Sequence, residues 1–520
     1  MTTGPGSGVG FGSSTDAAAD ERWFGRVLGP YAYRPIELME RLDLIPRGGG
    51  QTGAGDPPLD PSRLSVLLDS AGGNPNLARR SLLAWDPEAH LWAKDGRVAL
   101  CRLDGGGTWV RDDTRGDPFP VLRDALRDRR RPITWLGPDE GEPEWVGAYG
   151  LLTYDAGRYI EVLPDDTLDD LRIPDVDVIF PRKWVCFDHE RGRVTAVAHS
   201  PEALEEIEEY LSRAARAPRV HLDLSVDGHS REGSLRTGSN LTRAQYEAMV
   251  ERAREYVWAG DIFQTNLSQR LELRYEGESS LLYRVLRRVN PSPFAGYLRL
   301  SGYELFSSSP ERLVRLRGRV ADTRPIAGTR RRGRDFTEDG VLADDLNLDP
   351  KERAEHIMLV DLERNDLGRV CEYGSVHVDE LMVNERYSHV IHIVSNVTGT
   401  LSASRDAVDL LRAMFPGGTI TGCPKVRCME VIDELETVRR GPYTGSFGFF
   451  GYNGDMDTNI VIRTLARVGG RLYAQAGGGV VADSVAGNEY MESLSKAEAM
   501  VGAALEAGRL AGEAHEQHGE

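Results

Sequence analysis

From Ser65 onward the chain breaks into short, partly alternating apolar runs closed by Gly, Asp and Pro, and helical patterns interrupt them at irregular intervals. That irregularity narrows the fold more than any other feature. Val66-Leu-Leu68, Ser81-Leu-Leu-Ala-Trp85, Val98-Ala-Leu100, Trp145-Val-Gly-Ala-Tyr149 and Val194-Thr-Ala-Val197 read as strands between turns. Helical spacing appears at Pro201 to Ala214 and at Arg243 to Ala259, the second opened by a capping region at Asn240-Leu-Thr242. A doubly wound parallel sheet needs regular β-α alternation. Its absence points to an α+β fold. No repeat of fixed period is present.

A chain of 520 residues and 57.5 kDa can bury a large core and has the length of roughly two to four domains. Residues 1–22 are small and polar with little to bury, and read as a disordered tail. Arg47 to Pro58 reads as a loop insertion. The polar stretch from Val220 to Gly238 reads as a linker. It separates an N-terminal region, 23–235, from a C-terminal region, 238–507, with a flexible tail at 508–520.

A formal charge of -18 and a pI near 5.2 repel phosphate, which excludes nucleic acid and an anionic membrane as partners. The basic runs Arg127-Asp-Arg-Arg-Arg131 and Arg330-Arg-Arg-Gly-Arg334 are expected to be solvated surface. No stretch reaches the roughly 18 apolar residues of a spanning helix, and no signal pattern opens the chain, so a cytoplasmic protein is expected. The five cysteines, at 101, 186, 371, 423 and 428, are scattered and odd in number. They form neither a disulfide framework nor a zinc pattern and are expected to be reduced, with Cys423 and Cys428 as small buried residues.

Chemistry concentrates between Asp322 and Lys496. Four glycine-punctuated segments lie there beside carboxylates, one histidine and one arginine: Pro325-Ile-Ala-Gly-Thr329, the 415–425 segment, Gly441 to Arg463, and Ala476-Gly-Gly-Gly479. Such a set suits the enclosure of a small anion. Asp349-Pro350 is a helix start, and the spacing after it puts Glu352 and Glu355 on one face. Glu489, Glu492 and Lys496 share a face of a second helix. Each set also has a plain reading: Glu352 returning a hydrogen bond to its cap, and Glu492 pairing with Lys496 on the surface. If the helices face each other, the carboxylates make oxygen ligands suited to Mg2+.

Taken together, Pro325-Ile-Ala-Gly-Thr329, Asp361-Leu-Glu-Arg-Asn-Asp-Leu-Gly368, Glu385-Arg-Tyr-Ser-His-Val-Ile-His392, the 415–425 segment and Asp457-Thr-Asn-Ile-Val-Ile-Arg463 resemble the chorismate-utilising enzymes. The likeness spans about residues 23–507. It implies an α+β fold of two large packed antiparallel β-sheets with helices outside. It also implies that Glu352, Glu355, Glu489 and Glu492 hold Mg2+ against the ring carboxylate of chorismate. By the same resemblance His392 is the catalytic histidine, helping the hydroxyl leave or moving a ring proton. Tyr443 and Arg463 grip the enolpyruvyl carboxylate, with Gly477, Gly478 and Gly479 approaching the same anion. Ala327, Gly328 and Thr329 line the ring pocket, and Lys496 holds substrate charge.

Relatives that add water carry a lysine base where this chain has Gln264, so the resemblance implies ammonia as nucleophile. A separate glutamine amidotransferase subunit must then supply it, since nothing in the chain resembles a glutaminase. Asp261 to Gln269, Ser307-Ser-Ser-Pro-Glu311, Asn453-Gly-Asp-Met-Asp457 and Tyr154-Asp-Ala-Gly-Arg158 resemble the component I enzymes that make 4-amino-4-deoxychorismate for 4-aminobenzoate and folate synthesis. Ala327 resembles instead the anthranilate-forming members, because many of the former carry a lysine there that adds to the ring. The 4-amino product is the expectation, anthranilate plus pyruvate the alternative, and a non-catalytic chorismate-binding scaffold the minor one. Leu68, Asp69 and Ser70 resemble a tryptophan pocket of the family. No nucleotide cofactor motif is present.

Overall fold

The computed structural model of the protein describes residues 21–30, 34–45, 56, 58, 60–70, 72, 77–216, 238–386 and 390–517. The expected N-terminal tail up to residue 20, nearly all of the 47–58 insertion and the linker from 220 to 237 lie outside the described residues.

Two long strands, Arg80–Lys94 and Val176–Asp188, form the seam of the molecule. They run antiparallel beside each other, and each contributes its two halves to different sheets. The change of sheet falls at Asp86, which adopts φ +57°, and at the register shift between Pro87 and Ala89. A bulge of this kind bends a strand and increases its twist.

On one side of the seam the first sheet continues through Ser65–Asp69, Phe294–Arg299, Tyr303–Ser309, Thr464–Val468 and Arg471–Val480 to Gln264–Arg274. On the other, the second sheet continues through Gly147–Leu152, Ser446–Gly451, Met456–Asn459, Arg312–Arg317 and Val320–Thr323 to Val390–Thr400. Ile326–Arg331 and His377–Arg386 flank that last strand. These pairings are antiparallel; the short pairing of Trp23–Leu28 with Ile133–Trp135 is parallel. Each sheet therefore joins strands of the N-terminal region to strands of the C-terminal region, at Ser65–Asp69 beside Phe294–Arg299 in the first and at Gly147–Leu152 beside Ser446–Gly451 in the second, and the two sheets are hydrogen-bonded into one curled system.

The core lies where the sheets face each other. Val66, Leu91, Val178, Leu305, Val314 and Met456 are buried in one cluster, and each fully buried aliphatic side chain of that kind stabilises the fold by roughly 1.5–3 kcal/mol. Helices cover the outside of the first sheet, where Met39, Leu204, Leu286 and Met500 pack on Leu83, Val185, Phe306 and Leu465. The architecture is thus α+β, with large antiparallel sheets and outer helices.

Helices Pro201–Arg216, Arg243–Ala259 and Pro350–Gly368 begin where the sequence places them. The last helix, Ala486–Gln517, passes the expected boundary at 508: Ala507 and Leu510 still pack on the core, and Arg509 pairs with Glu506 and Glu513. Among the described residues, no helix is long and apolar enough to cross a membrane.

Candidate active site

The strand Ile326–Arg331 slips in register against Val390–Thr400 between Ala327 and Thr329. Gly328 sits at the slip with φ +64°, a conformation that glycine adopts without a Cβ penalty. A Cβ there would stand 2.9 Å from Leu346 Cδ1 and 3.0 Å from Glu352 Oε2. The slip turns the Gly328 carbonyl toward His392, whose Nδ1 lies 3.0 Å from that oxygen and 3.1 Å from Thr329 Oγ1. Because a carbonyl can only accept, Nδ1 carries the imidazole proton. Burial lowers the His392 pKa below its ordinary value, and the Arg463 charge adds to this, with Glu385 opposing. The ring is neutral near pH 7. Ala327 pairs with Ile393 in the same ladder.

Asp349 caps the helix Pro350–Gly368 by accepting from the backbone N–H of Lys351 at 2.9 Å and of Glu352 at 3.3 Å. The Glu352 carboxylate does not return to the cap. It accepts from Arg330 Nη1 at 3.1 Å, while the same guanidinium holds Asp349 and Asp345, each at 3.0 Å. Arg330, expected to be solvated with its neighbours, is drawn inward because three carboxylates converge on it. Glu355 lies one turn further along the helix. Its pKa is raised by burial first, and then by Glu352, Asp483 and Glu489, against Lys351.

The strand Arg471–Val480 brings the three glycines in. A Cβ at Gly477 would stand 2.0 Å from the Leu267 carbonyl oxygen, at Gly478 3.1 Å from Glu489 Oε2 and 3.6 Å from Glu492 Oε1, and at Gly479 2.2 Å from Gln264 Nε2. Space rather than backbone angle makes them glycines. The Gly477 N–H hydrogen-bonds the hydroxyl of buried Tyr443, whose pKa burial pushes up to about 12. Lys496 Nζ donates to the Gly477 carbonyl at 3.1 Å and pairs with Glu492 at 2.8 Å. The expected surface pair therefore forms, but its lysine also closes on the glycine strand. Arg463, at φ +53°, donates to the Lys496 carbonyl.

These groups form one site. Glu355 and Glu489 come from different helices yet feel each other's charge, and His392 feels Arg463. Burial likewise raises the Glu489 pKa, with Glu492 adding to it and Ser484, Lys496 and Lys351 opposing. Among the described residues, no three acidic, histidine or cysteine side chains close into a ready-made metal cage. The donor set nonetheless fits a hard divalent cation: it is all oxygen, crowded, and partly desolvated, so that a positive charge would relieve its repulsion.

Sequence reasoning did not single out Glu311. This buried carboxyl accepts from Thr419 Oγ1 at 2.9 Å and from the backbone N–H of Ile326, one residue before Ala327. Burial pushes its pKa up to about 7. The available signal was a single ionisable residue closing the run of small, uncharged residues Ser307-Ser-Ser-Pro-Glu311.

Leu68, Asp69 and Ser70 line a different cavity, of about 320 Å³, beside the seam. The Asp69 carboxylate there is already held by Ser81 at 2.9 Å, Tyr283 at 3.2 Å and Arg287 at 3.0 Å. Aromatic rings of Trp145, Phe294 and Phe447 share the walls with charges of both signs.

The family of chorismate binding enzymes matches residues 65–502. Aminodeoxychorismate synthase component 1 of Bacillus subtilis is 43% identical over 440 residues, 84% of this chain and 90% of that protein. An anthranilate synthase component I-like protein of Synechocystis is 46% identical over 456 residues, 85% of this chain and 87% of the relative. Among solved structures, anthranilate synthase component I of Streptococcus pneumoniae superposes with a TM-score of 0.69 at 33% identity, covering 81% of this chain and 92% of that one.

Proposed function

The chain belongs to the chorismate binding enzymes, and we propose that within this family it aminates chorismate with ammonia from a separate glutamine amidotransferase subunit, giving 4-amino-4-deoxychorismate for 4-aminobenzoate and folate synthesis in the cytoplasm. The observation that supports this reading is the chain of contacts and charge couplings that links His392, Arg463, Tyr443, the glycines 477–479 and the glutamates, with an uncharged Gln264 against Gly479. An amide cannot serve as the base that activates water.

In this reading Arg463 and the Tyr443 hydroxyl hold the enolpyruvyl carboxylate, a planar fork being well shaped for it. Lys496 adds charge, and Ala327, Gly328 and Thr329 border the ring. Glu352, Glu355, Glu489 and Glu492 would hold Mg2+, which when bound withdraws electron density from the ring through its carboxylate. As the carbon–nitrogen bond forms, the ring hydroxyl must leave with a proton, as water. Glu311, whose pKa burial pushes up to about 7, is the carboxylic acid we assign to donate that proton, becoming a carboxylate. His392, neutral with Nδ1 committed to Gly328, can take the proton that the new amine sheds.

Ala327 favours a second reading. With no amine at that position, no covalent enzyme adduct can steer nitrogen to the carbon that loses the hydroxyl. Direct addition at the neighbouring carbon followed by loss of pyruvate would give anthranilate. Incubation with chorismate, Mg2+ and an ammonium salt at alkaline pH separates the two. A non-fluorescent product that an added lyase converts to 4-aminobenzoate supports the first, and fluorescent anthranilate with equal pyruvate supports the second. No consumption of chorismate would leave only a binding scaffold.

The cavity at Leu68, Asp69 and Ser70 suits an aromatic zwitterion, since its walls combine rings with charges of both signs. Tryptophan is the ligand we assign. It should raise the melting temperature in a saturable way; a chain that tryptophan leaves unmoved has no such site.

A further inference from the structure

The helix Pro350–Gly368 carries Glu352 and Glu355 near its start and two further acids, Glu363 and Asp366, near its end. Those two are turned into the protein, Glu363 3% exposed and Asp366 2%. A single short turn, Gly418–Ile420, touches both Glu363 and the buried Glu311. Thr419 Oγ1 donates to Glu311 Oε1 at 2.9 Å, and a Cβ on the adjacent Gly418 would stand 3.5 Å from Glu363 Oε1. Three buried carboxyls thus share this part of the core. Lys425 Nζ, at the start of the helix Lys425–Leu435, donates to Asp366 and, at 3.1 Å, to the Met414 carbonyl. Arg369 favours the Asp366 charge as well. The nearby cations are therefore committed to Asp366.

The hydrogen bonds around Glu363 suit an acid better than a carboxylate. Thr323, at the end of the strand Val320–Thr323, has its Oγ1 2.7 Å from the Leu313 carbonyl and 3.4 Å from Glu363 Oε2. A hydroxyl has one proton, and the shorter contact takes it. Glu363 can then satisfy the Thr323 oxygen only by donating, which requires the protonated form. Charge agrees with geometry: burial and then the Asp366 charge push the Glu363 pKa up to about 8, with Lys425 opposing and Glu311 adding to the rise.

We propose that Glu363 is a positioning residue for the acid step: it forms a coupled pair with Glu311, in which a charge on either carboxyl keeps the remaining proton on the pair. The inference rests on the amination reading above, with Glu311 as its acid, and adds what holds that acid in its working form as the medium becomes alkaline. Glu363 acts only through Glu311. In each turnover the O–H bond of Glu311 breaks, its proton leaves with the ring hydroxyl as water, and the electron pair stays on the Glu311 carboxylate. Thr419 and the Ile326 N–H are the donors that support that charge. A second charge beside it is costly in a buried place, so the pair carries one negative charge rather than two until solvent returns a proton. Glutamine at position 363 would fill much the same space but hold no exchangeable proton. Glu311 would then titrate alone, and at lower pH.

The test compares kcat of the wild-type chain, Glu363→Gln and Glu363→Asp from neutral to alkaline pH, at saturating chorismate, Mg2+ and free ammonia. The alkaline limb of Glu363→Gln is expected about one pH unit below that of the wild type, and Glu363→Asp should recover part of the shift. The chorismate KM and the acidic limb should not move. Infrared spectra read the protons directly: in Glu311→Gln the carbonyl stretch of the remaining buried acid should vanish at a lower pH than the last such band of the wild type. A folded Glu363→Gln with the wild-type alkaline limb overturns the pair, and so does a limb displaced equally in the glutamine and aspartate variants. Should Glu363→Gln not fold, the infrared titration decides, and a last acid band of Glu311→Gln lost at the wild-type pH overturns the coupling. A wild-type chain that turns over no chorismate with ammonia overturns the amination reading and the role of Glu363 together, whereas an active wild type beside an unmoved Glu363→Gln overturns the pair alone.

Discussion

His392 gives its Nδ1 proton to the backbone carbonyl of Gly328 across 3.0 Å, so the register slip in one strand sets the tautomer of a histidine on its neighbour. The other ring nitrogen then carries the lone pair. His392→Asn is expected to cut kcat by about 10²–10⁴-fold while leaving the chorismate KM and the melting temperature near wild type. Because burial and Arg463 depress its pKa, the acidic limb of the kcat profile should fall below pH 6.5. A limb above that value would place the responsible group elsewhere.

Gly477 and Gly478 are neighbours with different reasons for being glycine, and alanine should separate them. At Gly477 the new methyl would strike the Leu267 carbonyl at 2.0 Å, inside the sheet. Gly477→Ala is expected to destabilise the fold by about 1–3 kcal/mol, read as a lower denaturant midpoint. At Gly478 the methyl would meet the Glu489 carboxylate at 3.1 Å, the end of a longer side chain. Gly478→Ala should keep its stability and lose Mg2+ affinity.

Glu355 and Glu489 carry raised pKa values because each is buried among other carboxylates. A cation bound there must displace protons, so its affinity should weaken as pH falls toward those values. Glu355→Ala and Glu492→Ala are expected to abolish turnover with little change in melting temperature. Glu355→Gln should weaken Mg2+ binding by about ten- to a hundredfold, measured by calorimetry in the absence of chorismate. Wild-type Mg2+ affinity in both alanine variants would remove the metal assignment.

Arg463 holds the Lys496 carbonyl and lies within reach of Tyr443 and Glu492 in charge terms. Lysine keeps the charge but loses the fork. Arg463→Lys is expected to raise the chorismate KM about tenfold or more, with kcat less affected. An unchanged KM would mean that the enolpyruvyl carboxylate is held elsewhere.

His356 offers a stability test apart from chemistry. It is fully buried, its Nε2 lies 2.6 Å from Ser395 Oγ, and burial pulls its pKa from 6.5 to about 4. The unfolded chain therefore binds this proton first as the medium is acidified. Its contribution to stability is complete above pH 6.5 and declines as pH falls toward 4, by about 3 kcal/mol in all. His356→Gln should flatten that part of the stability curve in urea titrations at successive pH values.

Local features were legible in the chain because local physics sets them. Asp349-Pro350 opens a helix through a cap and a first-turn proline that act locally, and the alternating runs at Val66 and Val194 become strands. What escaped depends on partners from afar. Ser65–Asp69 joins Phe294–Arg299, and Gly147–Leu152 joins Ser446–Gly451, so the division into an N-terminal and a C-terminal region does not survive as two separate cores. Arg330 could not be distinguished from its basic neighbours until Asp345, Asp349 and Glu352 were seen around it. Glu311 reads as an ordinary glutamate until burial changes its acidity. The last helix outran its expected end because Leu510 finds apolar contacts that no local pattern announces.

The pairing of strands from both regions within each sheet has a consequence for how the enzyme can be divided. A protease nick between Arg216 and Gly238 would sever the backbone but free neither half, since each would have to abandon the hydrogen-bonding edges its counterpart occupies. Made separately, the halves would present raw edges and aggregate; synthesised together, they should reassemble into a working, discontinuous enzyme.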